Sequence, residues 1–208
     1  MIKYSDKIIV DGKKYDAVLL KTEKKDVPKL KKLYGAWLEL KNGLKNFESR
    51  APNLPEGISE GAFSLEFDCP RVLDVKGTPA SYDCYNPKTY ERIQIKATTI
   101  RYDLTSFGPD SVWDVLYLLD FYRDGKFDGK YDVYKIPNDL IYGHQISKTQ
   151  TFRDQQKQGR RPRFGIKRSI IEEDGIKPIK TCQIWSWHTW NSWFWLYENL
   201  VENLWLQI

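Results

Sequence analysis

Sulfur and imidazole are scarce in this sequence, which holds three cysteines, one methionine and two histidines in 208 residues. Cys69, Cys84 and Cys182 are odd in number and form no CxxC pair, which argues against a disulfide framework and against a zinc ribbon. They read as reduced thiols of a cytosolic protein. His144 and His188 have no matching nucleophile and acid signature, so each is expected to be a hydrogen-bonded structural residue. Long apolar runs are missing too. The most hydrophobic region is interrupted by Glu198 and Glu202, so no membrane span is expected. The opening Met1-Ile-Lys-Tyr-Ser-Asp-Lys lacks the charged start, apolar run and cleavage site of a signal peptide, and a cytoplasmic location is the expectation. With no internal repeat and no low-complexity linker, residues 1–208 read as a single domain.

Aromatics are abundant instead. They make up 14% of a chain that is 41% hydrophobic, enough for a packed core. Of the eight tryptophans, Trp185, Trp187, Trp190, Trp193, Trp195 and Trp205 fall late, and Trp193, Leu196, Leu200, Val201, Leu204 and Trp205 follow helical spacing. A Trp-rich C-terminal helix over about 189–206 is therefore expected, serving core packing or a subunit interface. The net charge of +5 is local. Between Thr151 and Ile170, Arg153, Lys157, Arg160, Arg161, Arg163, Lys167 and Arg168 stand against Asp154 alone, so this window exceeds the charge of the whole chain. A focused basic patch fits a polyanion. Gln155, Gln156 and Gln158 are interleaved with it, and Gln and Arg have the bidentate geometry for adenine and guanine edges. The segment 150–170 is read as DNA-contacting, with the solvated loop as the plain alternative.

Hydrophobic periodicity gives a coarse element order. Residues 1–20 alternate weakly and suggest short strands or an irregular arm. Leu30, Leu33, Tyr34, Trp37, Leu38, Leu44 and Phe47 repeat at helical spacing from Val27 to Phe47, with Pro28 near the start. A shorter helix follows from Pro55, and its Gly57, Ser59, Gly61 and Ala62 invite another backbone to come close. Arg71–Val75, Ala80–Tyr85, Glu91–Thr98, Val112–Tyr122 and Tyr131–Ile136 read as strands, with Asn86-Pro87-Lys88 turning the second and third into a hairpin. The class expected is α/β, a central mixed β-sheet flanked by helices with its core at about 50–140.

Within that hairpin, Gln94 and Lys96 are two apart on one strand and leave the same face, while Ile93, Ile95 and Ala97 face the core. Asp83 on the partner strand can meet them. A carboxylate, an amide and an ammonium would converge at one sheet edge. Phosphodiester hydrolysis uses such a set. Anionic oxygen holds a hard cation, and a lysine stabilises charge building on the phosphorane. The Ile95 main-chain carbonyl and the Gln94 side-chain oxygen are available as further ligands.

Asp83, an eleven-residue gap, then Gln94-Ile95-Lys96 resembles the PD-(D/E)XK motif of type II restriction endonucleases. Pro55-Glu56-Gly57-Ile58-Ser59-Glu60 resembles the helix that brings an extra acid, here Glu60, to the metal site. Leu104-Thr105-Ser106-Phe107-Gly108-Pro109 and Gln158-Gly159-Arg160-Arg161-Pro162-Arg163-Phe164 are similar to small enzymes that cut interrupted GC-type palindromes. The resemblance covers roughly residues 50 to 170. It departs from the motif at Tyr82, in place of proline, and at Gln94, in place of the second acid. Glu60 is the candidate that compensates, ahead of Glu91 and Asp74.

The resemblance implies a restriction-endonuclease-like core and Mg²⁺-dependent cleavage of double-stranded DNA at a short palindrome by a homodimer. Asp83, Glu60, Gln94 and the Ile95 carbonyl would organise Mg²⁺, and Lys96 would serve the attacking water. No membrane and no protein partner is implied. Two alternatives share these residues. One is a sequence-independent repair or structure-specific nuclease on the same fold, and the other is a non-catalytic DNA-binding module in which Gln94 marks a decayed site.

Overall fold

The computed structural model describes residues 1–77 and 81–184. The expected Trp-rich helix, His188 and the expected strand start at Ala80 lie outside the described residues. In chain order the elements are β1 (Ile2–Val10), β2 (Lys13–Lys21), α1 (Val27–Lys45), α2 (Glu56–Phe67), β3 (Arg71–Val75), β4 (Cys84–Tyr85), β5 (Arg92–Thr98) and β6 (Thr105–Ser106). Then come β7 (Val115–Asp120), β8 (Lys130–Ile136), α3 (Asn138–Gly143), β9 (Gln145–Ser147), β10 (Gln150–Thr151), α4 (Phe152–Lys157), β11 (Arg163–Phe164) and β12 (Lys180–Gln183). A π-helical turn at Lys167–Glu172 precedes β12. The α/β class with a large mixed sheet agrees with the sequence reading.

Eight strands form the main sheet in the order β1-β2-β3-β4-β5-β7-β8-β12. All neighbours run antiparallel except β5 and β7, which pair in parallel from Ile93↔Val115 to Thr98↔Asp120. The N-terminal residues are no irregular arm. They make a long hairpin registered from Ile2↔Lys21 to Val10↔Lys13. Asp11 and Gly12 turn it with φ of 51° and 76°. Positive φ at both central positions matches the right-handed twist of the flanking strands, and Asp-Gly tolerates it. The strand expected at Val112–Tyr122 is shorter, Val115–Asp120, and buried along nearly its whole length.

Alternation along the central strands splits the core in two. Ile93, Ile95, Val115 and Leu119 face Leu30, Tyr34 and Trp37 of α1 and Ile58 and Phe63 of α2. Leu116, Leu118 and Ile136 face the other layer, built from Phe107, Trp113, Ile141, Phe152, Phe164 and Ile170. On α1 the buried set is Leu30, Tyr34, Trp37 and Lys41, whereas Leu33 and Phe47, expected on the apolar stripe, are exposed. Lys41 takes an inward place because its stem is apolar and its ammonium sits 3.0 Å from the Phe127 ring centroid, 3.5 Å from the Thr99 carbonyl. At Gly61 of α2 the close neighbours are side chains, not the backbone expected from the small residues. A Cβ on Gly61 would lie 3.2 Å from Leu30 Cδ2 and 3.6 Å from Thr22 Oγ1.

The parallel step from β5 to β7 needs a crossover, and here it contains no helix. Within it β6 pairs with β11, Arg163↔Ser106 and Phe164↔Thr105, so the basic segment is zipped onto the crossover. Gly165 continues the contact: a Cβ there would sit 2.9 Å from the Asp103 carbonyl oxygen. Gly165→Ala should force the two segments apart and cost about 1–3 kcal/mol, the range of overpacked sites. Urea unfolding followed by tryptophan fluorescence measures it, and an unshifted midpoint would refute the close approach.

Candidate active site

The sheet opens where β4 ends. Only Cys84 and Tyr85 pair with β5 as a strand, and the chain before them diverges. Asp83 stands at that fork. Its main-chain N–H donates to the Ile93 carbonyl at 2.9 Å, and its Oδ2 accepts the Ile95 N–H at 2.7 Å. The Gln94 side-chain amide also donates to Oδ2. Asp83 Oδ1 takes neither contact. Tyr82, where the motif has proline, is buried in the core layer that also contains Phe107 and Trp113.

Glu60 comes from the middle of α2 and is only 8% exposed. Arg71, the first residue of β3, donates its Nε–H to Glu60 Oε2 at 2.6 Å and reaches towards Glu56 at 4.0 Å. Glu60 Oε1 is again outside that contact. Each carboxylate is thus oriented through one oxygen, with the second left for another partner. Burial holds both carboxyls above the usual carboxylate range. For Glu60 the Asp83 charge adds to this, while for Asp83 the Ile95 N–H and the Lys96 charge oppose it.

Lys96 leaves β5 on the same side as Gln94, as alternation predicts, with its ammonium 5.1 Å from the Phe107 ring centroid. Burial lowers its pKa, Asp83 and Glu60 push it back up, and the Arg161 charge lowers it further. Asp83, Glu60, Ile95 and Lys96 line one cleft of about 230 Å³. Asn53, Glu56, Ser59, Thr99 and Asp103 add polar groups to its walls, and Leu54 and Ala97 apolar ones. The volume suits a phosphate group and a hydrated cation, with the remainder of any polymer outside.

Four of the residues singled out from sequence therefore meet: Asp83, Glu60, Ile95 and Lys96 share the cleft, and Gln94 hydrogen-bonds Asp83 from beside it. Glu91 and Asp74 take no part in the cleft lining; Glu91 accepts the Thr89 hydroxyl instead, and Asp74 is exposed on β3. Arg71 and Asp103 escaped the sequence reading. Nothing marks Arg71 beyond its place at a strand start, and Asp103 reaches the cleft only through the path of the crossover.

A hard cation takes oxygen ligands. Among the described residues no three His, Cys, Asp or Glu side chains cluster as a metal site on their own. A cation here would rest on two carboxylates supplemented by neutral oxygens. The donor set fits that description: two fixed carboxylates, the Ile95 carbonyl, and a Gln94 amide that offers oxygen after turning over. The three cysteines are free and buried, and His144 packs 4.3 Å from the Phe164 ring, remote in character from this oxygen-rich set.

The basic segment presents Arg153, Lys157, Gln158, Arg160, Arg161, Arg163 and Arg168 to solvent. Its other members are engaged within the protein. Gln155 is buried, Gln156 donates to the Gly108 and Ser111 carbonyls at 3.1 and 3.3 Å, and Lys167 pairs with the buried Asp120. Arg160 donates to Gln150 Oε1 at 2.9 Å.

No solved structure matches the chain at a significant level. The type II restriction enzyme Bsp6I of Bacillus sp. (strain RFL6) is 38% identical over 160 residues, 74% of this chain and 85% of the relative. The Bsp6I restriction endonuclease family matches residues 22–173. That span runs from α1 past β11 and takes in every residue of the cleft. The chain belongs to the Bsp6I restriction endonuclease family.

Proposed function

We propose that this protein is a type II restriction endonuclease that hydrolyses both strands of double-stranded DNA at a short palindrome, with Mg²⁺ as cofactor and a PD-(D/E)XK-like centre. Family membership supports the restriction class. The observation that carries the chemistry is the joint lining of one open cleft by Asp83, Glu60, Ile95 and Lys96. Bound Mg²⁺ supplies Lewis acidity towards the phosphate and lowers the pKa of a water. Asp83 and Glu60 provide the anionic oxygens, and the Ile95 carbonyl and Gln94 amide provide neutral ones. Lys96, relieved of part of its proton affinity by burial, orients the attacking water and offers positive charge to the developing phosphorane.

Two copies acting as a homodimer would place one such cleft on each strand, because a two-fold protein suits a two-fold site. The likeness to enzymes that cut interrupted GC-type palindromes extends the proposal to that site class. Exposed members of the basic segment, with Arg161 nearest in effect to Lys96, would meet the duplex. Phosphate contacts would set affinity, and Gln158 with the arginines would read base edges.

Incubation with plasmid DNA should give discrete fragments with Mg²⁺ and none with EDTA, and sequencing the ends reads the site. Asp83→Ala and Glu60→Ala should each lower the rate by about a thousand-fold or more, as loss of several kcal/mol of charge stabilisation requires. Lys96→Ala should cost about a hundred- to a thousand-fold. Absence of metal-dependent cutting by the wild type at any sequence would sink the proposal.

The metal-free protein should also lose stability as the pH rises. Asp83 and Glu60 hold protons more tightly folded than unfolded. Their contribution is therefore complete below the unfolded carboxylate range near about 4 and is lost on the way to neutrality. Thermal melts from pH 5 to pH 8 should fall by about 2–4 °C for each kcal/mol so lost, with Mg²⁺ restoring stability at the upper end. Asp83→Asn should flatten the fall, and an unaltered slope would contradict the argument.

A further inference from the structure

One aromatic ring beside the cleft holds two cations. Tyr102 lies on the crossover, next to the cleft-lining Asp103, and is 47% exposed. The Arg101 guanidinium carbon stands 5.2 Å from its ring centroid and the Arg168 carbon 5.9 Å. The two arginines come from segments far apart in sequence. The β6–β11 pairing and the Gly165–Asp103 approach bring them to the same ring. Among the described residues, neither Arg101 nor Arg168 forms an ion pair with a carboxylate, whereas the three half-buried arginines, Arg71, Arg92 and Arg123, do. Two exposed guanidinium groups gathered on one platform repel each other unless an anion lies between or beside them.

We propose that Arg101, Tyr102 and Arg168 form a clamp for backbone phosphates of the DNA strand lying across the cleft, adjacent to the phosphate being cut. The inference rests on the nuclease reading of the cleft and adds Arg101 and Tyr102 to the contact surface. Its occupant is a sugar–phosphate backbone because guanidinium matches phosphate oxygens in two parallel bonds, while the tyrosine face restrains both side chains in advance. The clamp is continuous with the cleft through Asp103 and with the basic segment through Arg168. Its contribution is independent of base sequence.

The test is DNA binding by the full chain carrying Asp83→Asn, which prevents cutting, measured by fluorescence anisotropy against salt concentration. Each phosphate contact contributes about 0.9 to the slope of log affinity on log salt. Arg101→Gln with Arg168→Gln should lower that slope by about 1.8 and weaken cognate and non-cognate duplexes by the same factor. Tyr102→Phe should bind as the parent does, and Tyr102→Ala should bind more weakly. Thermal melts of each variant confirm that it folds. A slope equal to the parent's in the double variant overturns the clamp. So does an unchanged slope with an altered sedimentation coefficient, which would make this surface an interface between copies. Plasmid cutting by the wild type is scored separately, so failure of the clamp and failure of the nuclease reading are told apart.

Discussion

The hydrogen bond from the Ile95 N–H to Asp83 Oδ2 is the point on which the site is built. In a longer β4, the next residue's carbonyl would have met that N–H. Here the strand stops at two residues, and a side-chain carboxylate takes the place of the missing main-chain acceptor. A buried N–H left unpaired is costly, so the substitution keeps Asp83 in place as firmly as a strand would. It also splits the sheet, and the cleft is the gap that results. Glu60 enters from the helical layer because α2 packs close to α1 over Gly61, and Arg71 fixes its carboxyl at the mouth of the same gap.

Much of this was legible in the chain, for identifiable reasons. Alternation along Ile93-Gln94-Ile95-Lys96-Ala97 fixed which side chains share a face, because the strand period leaves no choice. The Asn86-Pro87-Lys88 turn placed Asp83 across from them. The Pro55 start and the small residues that follow located α2. The long N-terminal hairpin was also written in the sequence, at Asp11-Gly12, but weak alternation on its flanks hid it. Arg71 and Asp103 could not be found this way. Both reach the cleft through tertiary pairing, β3 against β4 for one and the crossover path for the other, and neither carries a local periodic signal. On α1 Leu33 is exposed, against expectation, while Lys41 is buried, for a related reason. Hydropathy ranks the ends of side chains, whereas burial of Lys41 rests on its stem and two aromatic rings.

Gln94 becomes coherent once the electrostatics of the gap are considered. Two carboxylates already lie there out of water, and burial raises both. A third acid at position 94 would face Asp83 directly and would leave Oδ2 without the amide proton it now accepts. The neutral amide does one thing a carboxylate cannot, and keeps one that it can. It donates to Asp83 Oδ2, and turned over it would offer oxygen to the cation of the proposed function. Arg71 completes the balance by pairing with Glu60 through Oε2, so one oxygen of each acid stays outside these contacts.

The crossover links this centre to the charged surface. A parallel strand pair is usually joined by a helix, whose main-chain groups satisfy one another. The segment between β5 and β7 has no helix, so its N–H and C=O groups need partners elsewhere. They find some of them in β11, within the basic segment. Stabilising the crossover therefore brings arginines to the rim of the cleft, and Arg161 is near enough to act on Lys96. In the proposed function this coupling has a direct consequence. The backbone pairing that holds the crossover in place also sets the distance between the residues that would grip the duplex and those that would cut it.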